Sequence, residues 1–237
     1  MDESLIGLLS FGPNGWGDQL FAGLQVTVLL AVATAPIGLV GGFLLALARR
    51  SDNRFLSVPA TAFTTVFKGL PELITLFIVY YGFQSALSSI AGAFSEGARV
   101  EVSSFLAGMI ALGTVSASFA SEVFMAALNG VPKGQYEAAA ALGLRRWPML
   151  YKVVIPQLIR LALPGLGNLW LVLLKDTALV SVIALDDLLR RTNIAVGATK
   201  EPFFFYMVAI LIYFAMSLLS MAGFAALEKR YGKAYAR

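Results

Sequence analysis

Long apolar runs separated by short charged clusters set the pattern of this chain. Residues 19–48 carry no charged side chain, and Arg49, Arg50 and Arg54 close the run. A second run, 59–83, is interrupted by Lys68, Pro71 and Glu72. Residues 102–121 are again uncharged, and the pattern continues through Glu122 to residue 127. A fourth run, 153–174, contains Pro156, Arg160 and Pro164, and a fifth, 203–227, has no charge at all. Each reaches the roughly 20 residues that a helix needs to cross a bilayer. The apolar piece 177–185, between Asp176 and Asp186, is too short to span and is predicted to be re-entrant or interfacial. The pattern predicts an all-α integral membrane protein with five spans in a single domain, 1–237. Residues 84–101, rich in Ser, Gly and Ala, are predicted as a short outer loop.

Composition agrees. Hydrophobic residues make up 58% and charged residues only 14%, against about 25% charged in a soluble domain, and the mean hydropathy is +0.77. The net charge of +4 is too small for a nucleic-acid-binding balance. The chain has no Cys and no His. That excludes disulfides, thiol nucleophiles, His-ligated haem, the usual zinc sites and a Ser-His-Asp triad. No metal ligands and no catalytic residues are predicted, although a site built from carboxylates, Lys and Ser stays open.

The acidic start Met1-Asp2-Glu3 lacks the basic flank of a secretory signal, so the first span is predicted to be a permanent anchor. Orientation follows from Lys and Arg in the loops. With the N-terminus outside, the inner segments 49–58, 128–152 and the tail from 228 hold three, four and four such residues, eleven together. The outer segments 84–101 and 175–202 hold one and four, five together. This predicts the N-terminus outside and the C-terminus inside. Lys175, Arg190, Arg191 and Lys200 stand on the outer side with Asp176, Asp186, Asp187 and Glu201, so that segment is predicted to fold against the protein.

A charge at the bilayer centre costs roughly 2.5–3.5 kcal/mol on insertion scales. Lys68 and Arg160 lie near the inner ends of their spans and could snorkel, and Lys68 could pair with Glu72 four residues on. In the sharper reading, Glu72, Glu122 and Asp176 line a polar path and would favour a cationic solute group. Pro71 and Gly69 weaken the second helix beside them, and broken helices at depth line cavities or are buried in protein.

The segment from Val131 to Pro156 is the most informative. It starts a helix after Pro132, places Glu137 in the first turns and presents the small residues Ala138 to Ala141. Gly143 suits a left-handed stop. Glu137-Ala138-Ala139, Gly143 and Ile155-Pro156 resemble the EAA loop of bacterial ABC importer permeases. Lys68-Gly-Leu-Pro-Glu72, Ser121-Glu122-Val-Phe, Val131-Pro-Lys-Gly-Gln135, Ala162-Leu-Pro-Gly-Leu-Gly-Asn168 and Leu174-Lys-Asp-Thr-Ala-Leu-Val-Ser-Val-Ile183 resemble the polar amino-acid branch. Within it, the chain is most similar to the histidine, lysine-arginine-ornithine and opine (octopine, nopaline) permeases. The resemblance covers residues 19–230. It departs at Met125, where Arg is usual, at Asp176, where a small hydroxyl residue or another acid is common, and at Lys68, which replaces the commoner Arg.

The resemblance implies a type I ABC importer permease fold in the bacterial inner membrane, with a periplasmic N-terminus and a cytoplasmic C-terminus, moving polar amino acids, basic ones foremost, or opines. It implies pairing with a second permease subunit, sister or self, a dimer of cytoplasmic ABC ATPases and a periplasmic solute-binding protein. ATP and Mg would sit on the ATPase, with no cofactor on this chain. The loop 131–150 becomes the ATPase-coupling element, carried by Pro132, Gln135, Glu137, Ala138, Ala139 and Gly143. The substrate path falls to Lys68, Gly69, Pro71, Glu72, Glu122, Asn168, Lys175, Asp176, Thr177 and Ser181. The chain has no Gly-x-x-x-x-Gly-Lys-Ser/Thr phosphate loop, so it is not itself the ATPase. An ion-coupled secondary transporter using Glu72 and Glu122 is the main rival. An intramembrane enzyme with paired acids and a purely structural subunit are weaker ones.

Overall fold

The computed structural model describes residues 5–94 and 103–233, and the described residues are helical with short connections. A 3-10 turn, Leu5–Leu9, leads to α1 (Gly17–Arg49), α2 (Arg54–Gly69), α3 (Glu72–Phe94) and α4 (Ser104–Gly130). The short α5 (Lys133–Ala141) and α6 (Arg146–Met149) follow, and then α7 (Ile155–Asp176). A 3-10 segment, Thr177–Ile183, α8 (Leu188–Thr199) and α9 (Pro202–Lys233) complete the chain.

Among the described residues, four helical runs are long and apolar enough to cross a membrane: Gly17–Arg49, Ser104–Gly130, Arg146–Ile183 and Pro202–Tyr231. The predicted second span is broken into two helices. α2 and α3 meet at Leu70-Pro71 with a bend of 111°, the geometry of a broken span or of a re-entrant pair, and they make a fifth candidate when counted as one span. Proline at 71 has no N–H to continue the ladder and disfavours helical geometry at the residue before it. Leu70 is extended, with φ −92° and ψ 139°. The outer loop predicted from residue 84 is helix up to Phe94, and its remainder, 95–102, lies outside the described residues.

α1 and α4 form the centre of the bundle. The buried face of α1 runs through Gly23, Thr27, Leu30, Ala31, Thr34, Gly38, Gly42 and Ala46, a seam of mostly small side chains. It meets Ala117, Ala120 and Ser121 of α4 so closely that a Cβ on Gly42 would stand 2.5 Å from that of Ala120. Small residues at such a crossing let backbones approach where lipid offers no hydrophobic drive between helices.

Apolar clusters lie along this axis. Toward the α5 end, Ala46, Phe124, Leu128, Val131, Val154 and Leu158 pack together. Toward the α8 end, Leu30, Leu76, Leu112, Leu173, Val180 and Ile183 do so. Leu20, Leu188, Ala195 and Phe205 then close the far end. The apolar piece after Asp176 continues α7 directly as a 3-10 segment packed into the bundle: Thr177, Val180, Ser181 and Ile183 are buried, and Ser104 donates to the Ile183 carbonyl at 2.8 Å.

The charged segment after it folds back as predicted. Asp186 bridges Arg190 at 3.1 Å and Arg191 at 2.9 Å, and Arg191 donates to Gln19 of α1 at 2.6 Å. Asp187 caps α8 by accepting the Arg190 N–H at 2.9 Å, while its other carboxylate oxygen is buried without a partner. Burial pushes its carboxyl up from 3.8 to about 6 against the opposing pull of the Arg190 N–H.

Candidate functional site

Two places concentrate the predicted residues: the exposed short helix α5 and the break between α2 and α3.

α5 begins after Pro132 and ends in a left-handed turn at Gly143, whose φ is +71°. The Gly143 N–H bonds to the Ala140 carbonyl at 2.9 Å, and the Leu144 N–H to the Ala139 carbonyl at 3.1 Å. This pair of bonds is the Schellman arrangement, which satisfies carbonyls the helix end would otherwise leave open. A Cβ on Gly143 would meet nothing within 4 Å, so only the backbone conformation, not crowding within this chain, asks for glycine there. The two sides of α5 differ. Ala139 is buried and Tyr136 packs on the cluster around Phe124 and Leu128. Gln135, itself exposed, accepts from Gln157 of α7 at 3.2 Å, and Arg50 lies over the Tyr136 ring at 5.7 Å and donates to the Leu128 carbonyl at 3.2 Å. Toward solvent, α5 and its turn present Glu137, Ala138, Gly143 and Leu142, the last 80% exposed. The exposed side is therefore left to solvent, while the other is held by α4, α7 and Arg50 at the end of α1.

At the break, Lys68 ends α2 and Glu72 begins α3, so they no longer share a helix face. Lys68 pairs instead with Glu122 of α4, by a short contact. Arg49 reaches the same Glu122 oxygen at 3.1 Å and donates to Ser121 at 2.9 Å. One carboxylate thus ties the ends of α1 and α2 to α4. Gly69 and Pro71 are exposed beside this cluster.

The three acids expected together are divided. Glu72 and Asp176 stand within electrostatic range of each other, whereas Glu122 belongs with Arg49 and Lys68. Asp176 closes α7, next to the exposed Lys175. Thr177 is fully buried and donates back to the Leu174 carbonyl at 2.7 Å, and Ser181 is buried in the 3-10 segment. Asn168 is exposed on α7, away from the bonds at either end. Arg49, Arg50, Tyr136 and Gln157 escaped the sequence reading as site residues. The two arginines carried a signal, a basic pair ending a span, but were read only as topology markers. Among the described residues, no group of His, Cys, Asp and Glu could hold a metal.

Comparisons with known proteins place this architecture. The profile of the family described as "Binding-protein-dependent transport system inner membrane component" matches residues 38–233. The nopaline transport system permease protein NocQ of Agrobacterium fabrum is 40% identical, covering 94% of each chain. The arginine ABC transporter permease protein ArtQ of Haemophilus influenzae is 39% identical over 90% of this chain and 93% of its own. The histidine/lysine/arginine/ornithine transport system permease protein HisQ of Escherichia coli is 35% identical over 92% and 95%. A crystal structure of an amino acid ABC transporter with histidines superposes with a TM-score of 0.78 at 31% identity, covering 91% of this chain and 95% of that one. An inward-facing MetNI methionine ABC transporter shares the fold at a TM-score of 0.66 and 18% identity, covering 98% of this chain and 99% of that one. With the broken second span, the small-residue α1–α4 seam and the exposed α5, these matches make the chain a member of the binding-protein-dependent transport system inner membrane component family, a permease subunit of the ABC importer type.

Proposed function

We propose that this chain is the translocation subunit of an ATP-driven importer for basic amino acids or opines. It moves solute from a periplasmic binding protein to the cytoplasm by alternating access. The N-terminus faces the periplasm, as the eleven-to-five division of Lys and Arg implies. The chain pairs with a second permease, itself or a sister, and the pair rests on two ABC ATPases that hold ATP and Mg. The observation that carries this reading is α5: a short helix fixed to the membrane spans on one side and bare on the other.

The coupling follows mechanically. A load on the bare side of α5 passes through Tyr136, Gln135 and Gln157 to the ends of α1, α4 and α7. Next to Arg50, Arg49 holds Glu122, and Glu122 holds Lys68 at the helix break. The substrate class rests on the solutes named for the relatives, nopaline, octopine, arginine and histidine/lysine/arginine/ornithine. Each pairs a cationic or potentially cationic group with carboxylate. The acidic Glu72 and Asp176 suit the former.

The test is ATP hydrolysis by the complex purified through a tag on this chain, in lipid, with and without loaded binding protein. Stimulation of hydrolysis, with uptake of a basic amino acid or opine, supports the reading. A chain that purifies without an ATPase and still accumulates solute on an ion gradient would be the secondary transporter instead.

A further inference from the structure

Behind α5 lies an open cavity of about 390 Å³, whose lining includes Leu47, Arg50, Leu128, Tyr136, Arg146 and Leu150. Its wall is divided in chemistry. Two guanidinium groups and a phenol stand against leucines from α1, α4 and the segment after α6. The Tyr136 hydroxyl is buried and has no hydrogen-bond partner. A buried hydroxyl left so costs roughly 1–3 kcal/mol, a cost a ligand oxygen would remove. Arg50 spends one N–H on the Leu128 carbonyl and its face on the Tyr136 ring, which leaves most of its five donors open. Arg50, Arg145, Arg146 and Lys152 make no ion pair among the described residues, and the nearby acids Asp52 and Glu137 are exposed and pair with none of them. Beside the cavity, Trp147 and Tyr151 are 75% and 56% exposed. Aromatic side chains of this kind sit at the membrane–water interface.

We infer that this cavity binds the phosphodiester of an anionic phospholipid, with the glycerol and first methylenes against Leu47, Leu128 and Leu150. Arg50, Arg146 and the Tyr136 hydroxyl supply donors to the phosphoryl oxygens, the geometry in which guanidinium groups bind phosphate well. Basic pockets between helices at the cytoplasmic face hold acidic headgroups in this way. The placement in the inner leaflet rests on the orientation proposed above. The lipid would then form part of the seat on which α5 transmits its load, since Arg50 and Tyr136 belong to both.

The test uses the full chain with whatever subunits co-purify through its tag, stripped of lipid in detergent and titrated with phosphatidylglycerol or phosphatidylcholine, with bound lipid counted by native mass spectrometry. Neither ATP, solute nor an ATPase partner is needed, so the result stands apart from any failure of the transport reading. Phosphatidylglycerol is expected to be retained over phosphatidylcholine, and Arg146→Gln with Tyr136→Phe to lower that retention about tenfold. Tyr136→Phe alone removes only an unpartnered hydroxyl, so it is expected to leave the unfolding temperature unchanged or higher while still weakening lipid retention. Equal retention of both lipids, or unchanged retention in the double variant, would overturn the site. Competition by millimolar inorganic phosphate that empties it fully would overturn the lipid in favour of a soluble anion.

Discussion

Gly143 offers a prediction that separates a chain's own needs from a partner's. Its φ of +71° is the only local demand, because an added Cβ would meet nothing within 4 Å. An L-residue other than Asn or Asp in this conformation costs about 1–2 kcal/mol, a roughly 5- to 30-fold rise in the population of the unwound turn. Asn tolerates the conformation, so Gly143→Asn should cost the isolated turn only a few tenths of a kcal/mol. If nothing docks there, the expected order of damage is Ala first, then Asn and Asp together and small. If an ATPase groove covers the turn, Asn and Asp both fill space the partner occupies. Coupling then falls by tenfold or more, although the unfolding temperature of the permease stays within a degree or two. The assay is solute uptake per ATP hydrolysed in proteoliposomes, paired with thermal unfolding of each variant. Gly143→Asn and Gly143→Asp complexes that couple as well as the parent would refute the docking of α5.

The other predictions concern the charged groups. Glu122→Gln leaves Arg49 and Lys68 sharing a neutral partner, and is expected to lower stability by about 1 kcal/mol, the carboxylate being partly exposed, and to weaken uptake of a cationic solute; an unchanged melt in detergent would show that the cluster contributes nothing. Asp176→Ala should change the ranking of basic against neutral amino acids in competition uptake, and an unaltered ranking would remove Asp176 from the path. Asp187, raised from 3.8 to about 6 by burial, holds its proton longer in the folded chain than in the unfolded one. Stability should therefore fall as pH rises through the window from 3.8 to about 6 and level off above it. Asp187→Asn keeps the cap of α8, so it should flatten that slope and raise the melt at pH 7.5; thermal scans from pH 4 to 8 check both.

Much of this was readable from residue order, and what was not has physical reasons. The charge-free run after residue 19 became α1, and Pro132 and Gly143 bounded α5, because caps and breakers act within a turn of themselves. Gly69 and Pro71 announced a break but not its 111°, since the angle is set by what α2 and α3 pack against. The same break removed the four-residue spacing that made Lys68 and Glu72 candidates for each other, and the partner came from 54 residues away. Residues 84–94 read as loop because Ser and Gly are weak helix formers in water and their frequency broke the apolar run. In a membrane helix, a serine can satisfy itself on the preceding turn, as Ser89 does on the Ser85 carbonyl at 2.9 Å. The division of the acids into a pair and a neutralised third depends on three helices at once, which no local pattern encodes.

The π-helical stretch Leu150–Val154, between α6 and α7, has a meaning for the evolution of such chains. A π turn is an α turn holding one residue more than it needs. Removing one residue here would restore ordinary helix and leave α7 facing as before. Removing one anywhere else in the run Arg146–Ile183 would turn every later side chain by about 100° against α4 and α9. The span therefore carries its own slack, placed where the connection that bears α5 runs into α7, and length changes between related chains should accumulate at this point.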